Sequence, residues 1–275
     1  MEHYLNIDDL KRIENELLIV MDSYCREHNL RYYLTYGTLI GAVRHQGFIP
    51  WDDDIDVIMP RADYNNLIKN FNKECQQSDV SLLSHTIDPK YYLPIAKLVN
   101  TKTVLKENVD ADYEMGVYLD IFPLENLPDD LTKARQILKT AFRYDQMLTL
   151  KTLKWRKGRS FLKNIELVIS KALLSRKRIG DLLDKLDEFC CRTSESSPTE
   201  YVGVLAGISK GDDSRIFKRE WFEETVPVQF EGNTYPAPIG YDPLLRQLYG
   251  DYMCLPPAEE RVTHHVFTAW EKPNN

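Results

Sequence analysis

The sequence predicts an α+β protein with a helical insertion or appendage. Apolar residues recur at helical spacing near the start. Between residues 32 and 122, alternating or wholly apolar runs of strand length are separated by turn residues. From Leu131 to about Glu195 the composition then shifts to long Lys/Leu-rich helical patterns, broken clearly only at Gly158 and Gly180.

Ile7, Leu10, Ile13, Leu17, Leu18 and Met21 form one face of an opening helix behind the cap Asn6, and the pattern ends near His28-Asn29. Tyr32 to Tyr36 reads as a buried strand. Gly37 breaks it, and Thr38 to Arg44 is short, apolar and compatible with a helix. Gly47-Phe48-Ile49-Pro50 is a turn, and Asp54-Ile55-Asp56-Val57-Ile58-Met59 alternates before becoming apolar, as a strand does. A helix follows over 61–75, with β-rich stretches at 80–83, 92–99 and 103–105 and a strand from Gly116 to Phe122 that ends at Pro123. Beyond Tyr201, Glu231-Gly232-Asn233 is a hairpin turn and Tyr241 to Tyr249 a short helix. The expected organisation is a catalytic core over 1–127, a helical insertion over 128–198, and a segment over 199–275 that packs back on the core and completes the cleft.

A chain of 275 residues with 43% hydrophobic content can bury a core without staples. Its five cysteines show neither C-x-x-C spacing nor a disulfide framework, so they read as reduced thiols of a cytoplasmic protein. The N-terminus is too charged for a signal peptide, and no run is apolar enough to span a bilayer. A net charge of −7 argues against general nucleic-acid binding. That charge is uneven: Lys151 to Arg178 carries +9 and the remainder −16. The basic stretch reads as a solvated helical face, or, with Phe161, Ile165, Val168, Ile169 and Leu173, as a contact with an anionic membrane surface.

The chemistry concentrates at Asp52-Asp53-Asp54-Ile55-Asp56. In a strand, Asp54 and Asp56 share a face, and Asp52 joins them where the strand begins. Crowded carboxylates repel unless a cation lies between them, and oxygen-only ligands suit Mg²⁺, with Mn²⁺ an acceptable substitute. Mg²⁺ takes part of its shell from substrate phosphates, so a phosphate cradle is expected nearby. Gly37 permits close approach, a helix start offers N–H donors, and the Thr38 hydroxyl adds another. Asp120, between Leu119 and Ile121, requires a partner if it is buried. It is a salt-bridged residue, a third carboxylate of the same centre, or a general base.

The run from Tyr36 to Val57, YGTLIGAVRHQGFIPWDDDIDV, resembles the signature of the LicD family, phosphocholine transferases acting on bacterial surface glycans. The resemblance continues through Lys97, Thr103, Asp120 to Leu124, Phe230-Glu231-Gly232, Tyr249 to Tyr252, Leu255-Pro256-Pro257 and His264-His265, and is poor in the helical middle. It implies a nucleotidyltransferase-like mixed β-sheet flanked by helices. It further implies Mg²⁺-dependent transfer of phosphocholine from CDP-choline to a sugar hydroxyl of a glycolipid or teichoic acid precursor, with CMP released. In that reading Asp54, Asp56 and Asp120 hold the metal. Gly37, Thr38, Trp51, His45 and His264 contact substrate, and Lys97, Arg44 and His265 complete the catalytic set. Choline favours aromatic faces, for which Tyr36, Trp51, Tyr118, Trp221, Tyr249 and Tyr252 are available. The alternatives are another CDP-linked donor (ribitol, glycerol or ethanolamine) and a non-catalytic nucleotide- or glycan-binding module.

Overall fold

A computed structural model describes residues 3–154, 161–195, 199–263 and 267–273. The opening helix α1 (Ile7–Glu27) starts as its sequence requires. Asn6 accepts hydrogen bonds from the N–H groups of Asp8 and Asp9, and the Asp9 side chain reaches back to the Asn6 backbone N–H, forming a capping box. Leu10, Ile13, Leu17, Leu18 and Met21 are buried along one stripe, each contributing roughly 1.5–3 kcal/mol through burial.

The short strand β1 (Tyr33–Leu34) is followed by helix α2 (Tyr36–His45). This helix begins one residue ahead of Gly37, so the glycine lies inside its first turn. Strand β2 (Asp56–Pro60) leads without a loop into α3 (Arg61–Glu74), and β3 (Val80–Leu83), β4 (Ala96–Asn100) and β5 (Thr103–Glu107) follow. The strand expected over 54–59 is shifted: Asp52 to Ile55 are irregular, and pairing starts at Asp56.

Strand β6 (Tyr118–Leu127) does not end at Pro123. Its pairing with β4 finishes at Ile121, and its pairing with β7 (Tyr201–Gly203) starts at Glu125. Pro123 lies in the gap between these partners, where a missing N–H breaks no ladder on that side. The sheet order is β1-β2-β6-β4-β3, extended from β6 through β7 to β8 (Ile216–Lys218). The β2–β6 pair is parallel and the other pairs are antiparallel, so the sheet is mixed and the fold is α+β.

Helices α4 (Leu131–Thr152), α5 (Phe161–Leu173) and α6 (Ile179–Ser194) fill the helical stretch. Asp130 caps α4. Arg61 ties α6 to the sheet by pairing with the fully buried Glu125 and with Asp187, while Ser194 donates to Glu125. Farther on, β9 (Thr225–Phe230) and β10 (Asn233–Pro238) form the expected hairpin, with Glu231 (φ 48°) and Gly232 (φ 78°) in the left-handed region that its turn needs. Helix α7 (Tyr241–Tyr249) packs on α2, and β11 (Phe267–Glu271) pairs with β5. All five cysteines are free thiols. Among the described residues no helix is long and apolar enough to cross a membrane.

Candidate active site

Strand register assembles the centre. Asp56, first in β2, stands opposite Asp120 of β6 in parallel pairing, and the Asp120 N–H donates to the Ile55 carbonyl at 2.8 Å. On the other side of β6, antiparallel pairing sets Lys97 of β4 opposite Asp120. Residues opposite one another on adjacent strands share a face. The Lys97 ammonium donates to Asp120 Oδ1 at 2.6 Å and lies 3.2 Å from the centre of the Tyr118 ring. Of the readings open for Asp120, the salt bridge is therefore present, and its partner is the buried Lys97.

The turn before α2 is stitched to the start of β2. Thr35 N–H donates to the Asp56 carbonyl at 3.1 Å, and Asp56 N–H donates to Thr38 Oγ1 at 2.8 Å. Between them Tyr36 adopts a positive φ of 46°, at a cost on the order of 1–3 kcal/mol for a bulky residue. A Cβ on Gly37 would lie 2.5 Å from Asp52 Oδ2, so the space the glycine leaves is taken by Asp52. Whatever phosphate contact they make, both do internal work: Gly37 makes room for a carboxylate, and Thr38 fixes the backbone that carries Asp56.

Burial holds the Asp56 carboxyl well above the usual carboxylate range. Asp54, Asp120 and Asp52 push it further up, and Lys97 pulls it down. One buried lysine therefore serves a crowd of carboxylates. Among the described residues, no three His, Cys, Asp or Glu side chains form a ready cage for a metal ion. Asp54, Asp56 and Asp120 lie in one another's field, with Asp120 turning one oxygen to Lys97. The donor chemistry nevertheless fits Mg²⁺, which commonly uses one or two protein carboxylates and fills its shell with water and substrate phosphate oxygens. An orphaned buried atom supports the fit: Glu14 Oε2, on the stripe of α1 that faces this cluster, has no hydrogen-bond partner.

Arg44 holds the C-terminal segment. Its Nη1 donates to the carbonyls of Tyr252 (2.6 Å) and Cys254 (3.4 Å), and its Nε donates to His45 Nε2 at 2.9 Å. These bonds fasten the C-terminal segment to α2 through Nη1 and engage Nε within the helix. His45 accepts from Arg44; burial, and then that positive neighbour, lower its pKa and keep the ring neutral. Trp51 is half-buried with the Arg261 guanidinium 5.6 Å from its ring centre. His264 and His265 lie outside the described residues.

Sequence reasoning missed Glu14, Arg215 and the part played by Asp53. Glu14 had a signal, since it interrupts the apolar stripe four residues after Leu10 and four before Leu18. Arg215, in a polar turn, had none. It lies over the Tyr36 ring at 4.9 Å, close enough for its charge and a side-chain hydrogen bond to act on the Tyr36 phenol. Burial pushes the Tyr36 phenol up to about 12 against the pull of Arg215. The Tyr249 phenol is likewise raised by burial, then by Asp56 and Tyr36, with Arg215 opposing. Tyr36, Tyr249 and Arg215 thus share the neighbourhood of Asp56. Asp53 is buried at 5% exposure. A cavity of about 550 Å³ lies elsewhere, lined by Arg61, Tyr64, His85 and Asp187, beyond the far end of β2.

A strand-borne acidic pair on a mixed sheet, with a tight turn stitched beside it, is an arrangement suited to metal-assisted phosphoryl transfer. Residues 29–157 match the family described as LicD/FKTN/FKRP, nucleotidyltransferase domain. Over these residues the chain resembles that family's domain, and its likeness to a cholinephosphotransferase along most of its length makes it a phosphotransferase. It is similar to the lipopolysaccharide cholinephosphotransferase LicD of Haemophilus influenzae, with 28% identity over 257 residues, covering 92% of this chain and 94% of that one. A 31-residue stretch is 58% identical to an uncharacterised protein of Rickettsia prowazekii, covering 11% of this chain and 12% of that one.

Proposed function

We propose that the protein transfers phosphocholine from CDP-choline to a hydroxyl of lipopolysaccharide or of a lipid-linked surface-glycan precursor, releasing CMP. The observation that carries this reading is the likeness to the Haemophilus cholinephosphotransferase along nearly the whole of both chains. The acidic centre supports it. Bound there by Asp54 and Asp56, Mg²⁺ would supply charge neutralisation for the pyrophosphate. Asp120, positioned by Lys97, sits directly beside Asp56. Arg215, over the Tyr36 ring in the neighbourhood of Asp56, is a further cation for the phosphates beside Arg44. The acceptor oxygen forms a bond to the phosphorus bearing choline as the bond to CMP breaks, and the acceptor proton passes to a carboxylate of the cluster.

A lipid-linked acceptor agrees with the exposed stripe of α5, where Ile165, Val168, Ile169 and Leu173 face outward in a strongly basic stretch. We place the enzyme in the cytoplasm with this helix on the inner membrane face. Sedimentation with anionic but not neutral vesicles at low salt is the expected outcome, and loss of sedimentation in Val168→Asp/Ile169→Asp checks the surface.

The reaction is tested by CMP release from CDP-choline, CDP-ethanolamine, CDP-glycerol and CDP-ribitol with lipopolysaccharide as acceptor and Mg²⁺ or Mn²⁺ present. Turnover confined to CDP-choline supports the assignment; preference for a polyol donor overturns it.

A further inference from the structure

We propose that Glu14, carried by α1, is a further carboxylate of the cation centre, an inference that rests on reading the Asp52–Asp56 cluster as such a centre. Glu14 is 2% exposed, and its Oε2 has no hydrogen-bond partner. Leaving a buried polar atom unsatisfied costs roughly 1–3 kcal/mol, and the position could have been filled by another leucine of the stripe. For Glu14 that cost falls beside the acidic cluster.

Geometry fixes that placement. One turn earlier on the same helical face, Lys11 Nζ donates to the carbonyls of Ile49 (3.3 Å) and Pro50 (3.1 Å), so this face of α1 is fastened to the turn that delivers Asp52 to Asp54. The same helix packs over β4 and β6, which carry Lys97 and Asp120. Burial raises the Glu14 carboxyl well above its ordinary range, and the charges that raise it further are Asp54, Asp53, Asp120 and Asp52, in that order. A buried carboxylate in the field of four others is stable only as a neutral acid or with a cation among them. A hard divalent ion held partly by water and phosphate has room for such a ligand, either directly or through a bound water.

The test is calorimetric titration of the metal-free full chain with Mn²⁺, alongside Glu14→Gln, Glu14→Asp and Asp56→Asn, with thermal melts of each. Gln keeps the shape and loses the charge; Asp keeps the charge and loses the shape. The expected result is affinity weakened about ten- to a hundredfold by Gln and less by Asp, with metal-free Glu14→Gln melting no lower than wild type. Affinity of Glu14→Gln within twofold of wild type overturns the proposal, as does a Gln variant binding better than the Asp variant, the order packing alone would produce. Asp56→Asn separates the two readings: loss of binding supports the centre itself, whereas binding unchanged from wild type removes the centre and Glu14 with it.

Discussion

Asp56 and Asp120 face each other across a parallel strand pair, and the cation beside them is Lys97, 2.6 Å from Asp120. Asp56 is buried and pushed up by its acidic neighbours, so its charge is a burden on the folded chain in the absence of a cation. Asp56→Asn removes that burden with little change of shape. Turnover should fall on the order of a thousandfold while the metal-free melting temperature stays level or rises. CMP release and a thermal melt check both halves, and retained turnover removes Asp56 from the chemistry.

Lys97 gives a second prediction. Its buried ammonium balances Asp120 and rests on the Tyr118 ring, so Lys97→Met strands a carboxylate in the interior. Breaking a buried pair from one side costs about 3–5 kcal/mol. Lys97→Met/Asp120→Asn should recover most of that stability in urea unfolding, while activity remains low. A double variant no more stable than Lys97→Met would show that the pair is not energetically coupled.

The sequence disclosed those parts of the centre that local patterns encode. Asp54, Asp56 and Asp120 stood out because carboxylates interrupt apolar runs, and Asn6, Glu231-Gly232 and the 241–249 helix followed from caps, turn residues and periodicity. What could not be read was pairing over long separation. That Lys97 would meet Asp120, that Arg44 would spend its donors on Tyr252 and Cys254, and that Arg215 would lie over Tyr36 depend on how distant segments dock. The strand through Pro123 was hidden for a related reason, since a proline is tolerated only where the neighbouring ladders leave a gap. Glu14 was legible in principle, as an acid on a buried stripe, though its destination was not.

On the proposed reaction, the choline contact can be narrowed by elimination. Of the six aromatic residues available, Tyr118, Tyr36, Trp51 and Tyr252 already carry Lys97, Arg215, Arg261 and Arg246 on their faces, and Trp221 is packed against Gly240. Tyr249 is 48% exposed and lies in the field of Asp56, which leaves its ring open to a quaternary ammonium. A cation–π contact contributes about 0.5–2 kcal/mol, so Tyr249→Ala should raise the KM for CDP-choline roughly two- to thirtyfold. Tyr249→Phe should stay near wild type, and CMP inhibition should be unchanged in both. Equal weakening of CMP and CDP-choline would place Tyr249 on the nucleotide instead.

Away from the centre, Asp145 of α4 predicts how stability varies with pH. Its carboxyl is buried at 5% exposure and accepts the N–H groups of Gly207 and Ile208, each at 3.2 Å, pinning the segment after β7 to the helical layer. Burial raises its pKa from 3.8 to about 7, and the two N–H donors limit the rise. The folded chain therefore holds a proton that the unfolded chain has already released, so stability from this group is complete below the unfolded pKa. It is lost as pH climbs through the folded one. A shift of this size corresponds to at most about 4 kcal/mol. Asp145→Asn cannot titrate, so the difference in unfolding free energy, wild type minus variant, should grow in favour of wild type as pH falls from 8 to 4, most steeply between about 7 and 5. Urea unfolding across that range measures the difference directly. Parallel profiles for the two proteins would mean that Asp145 is ionised in the folded state throughout, held so by Gly207 and Ile208 alone.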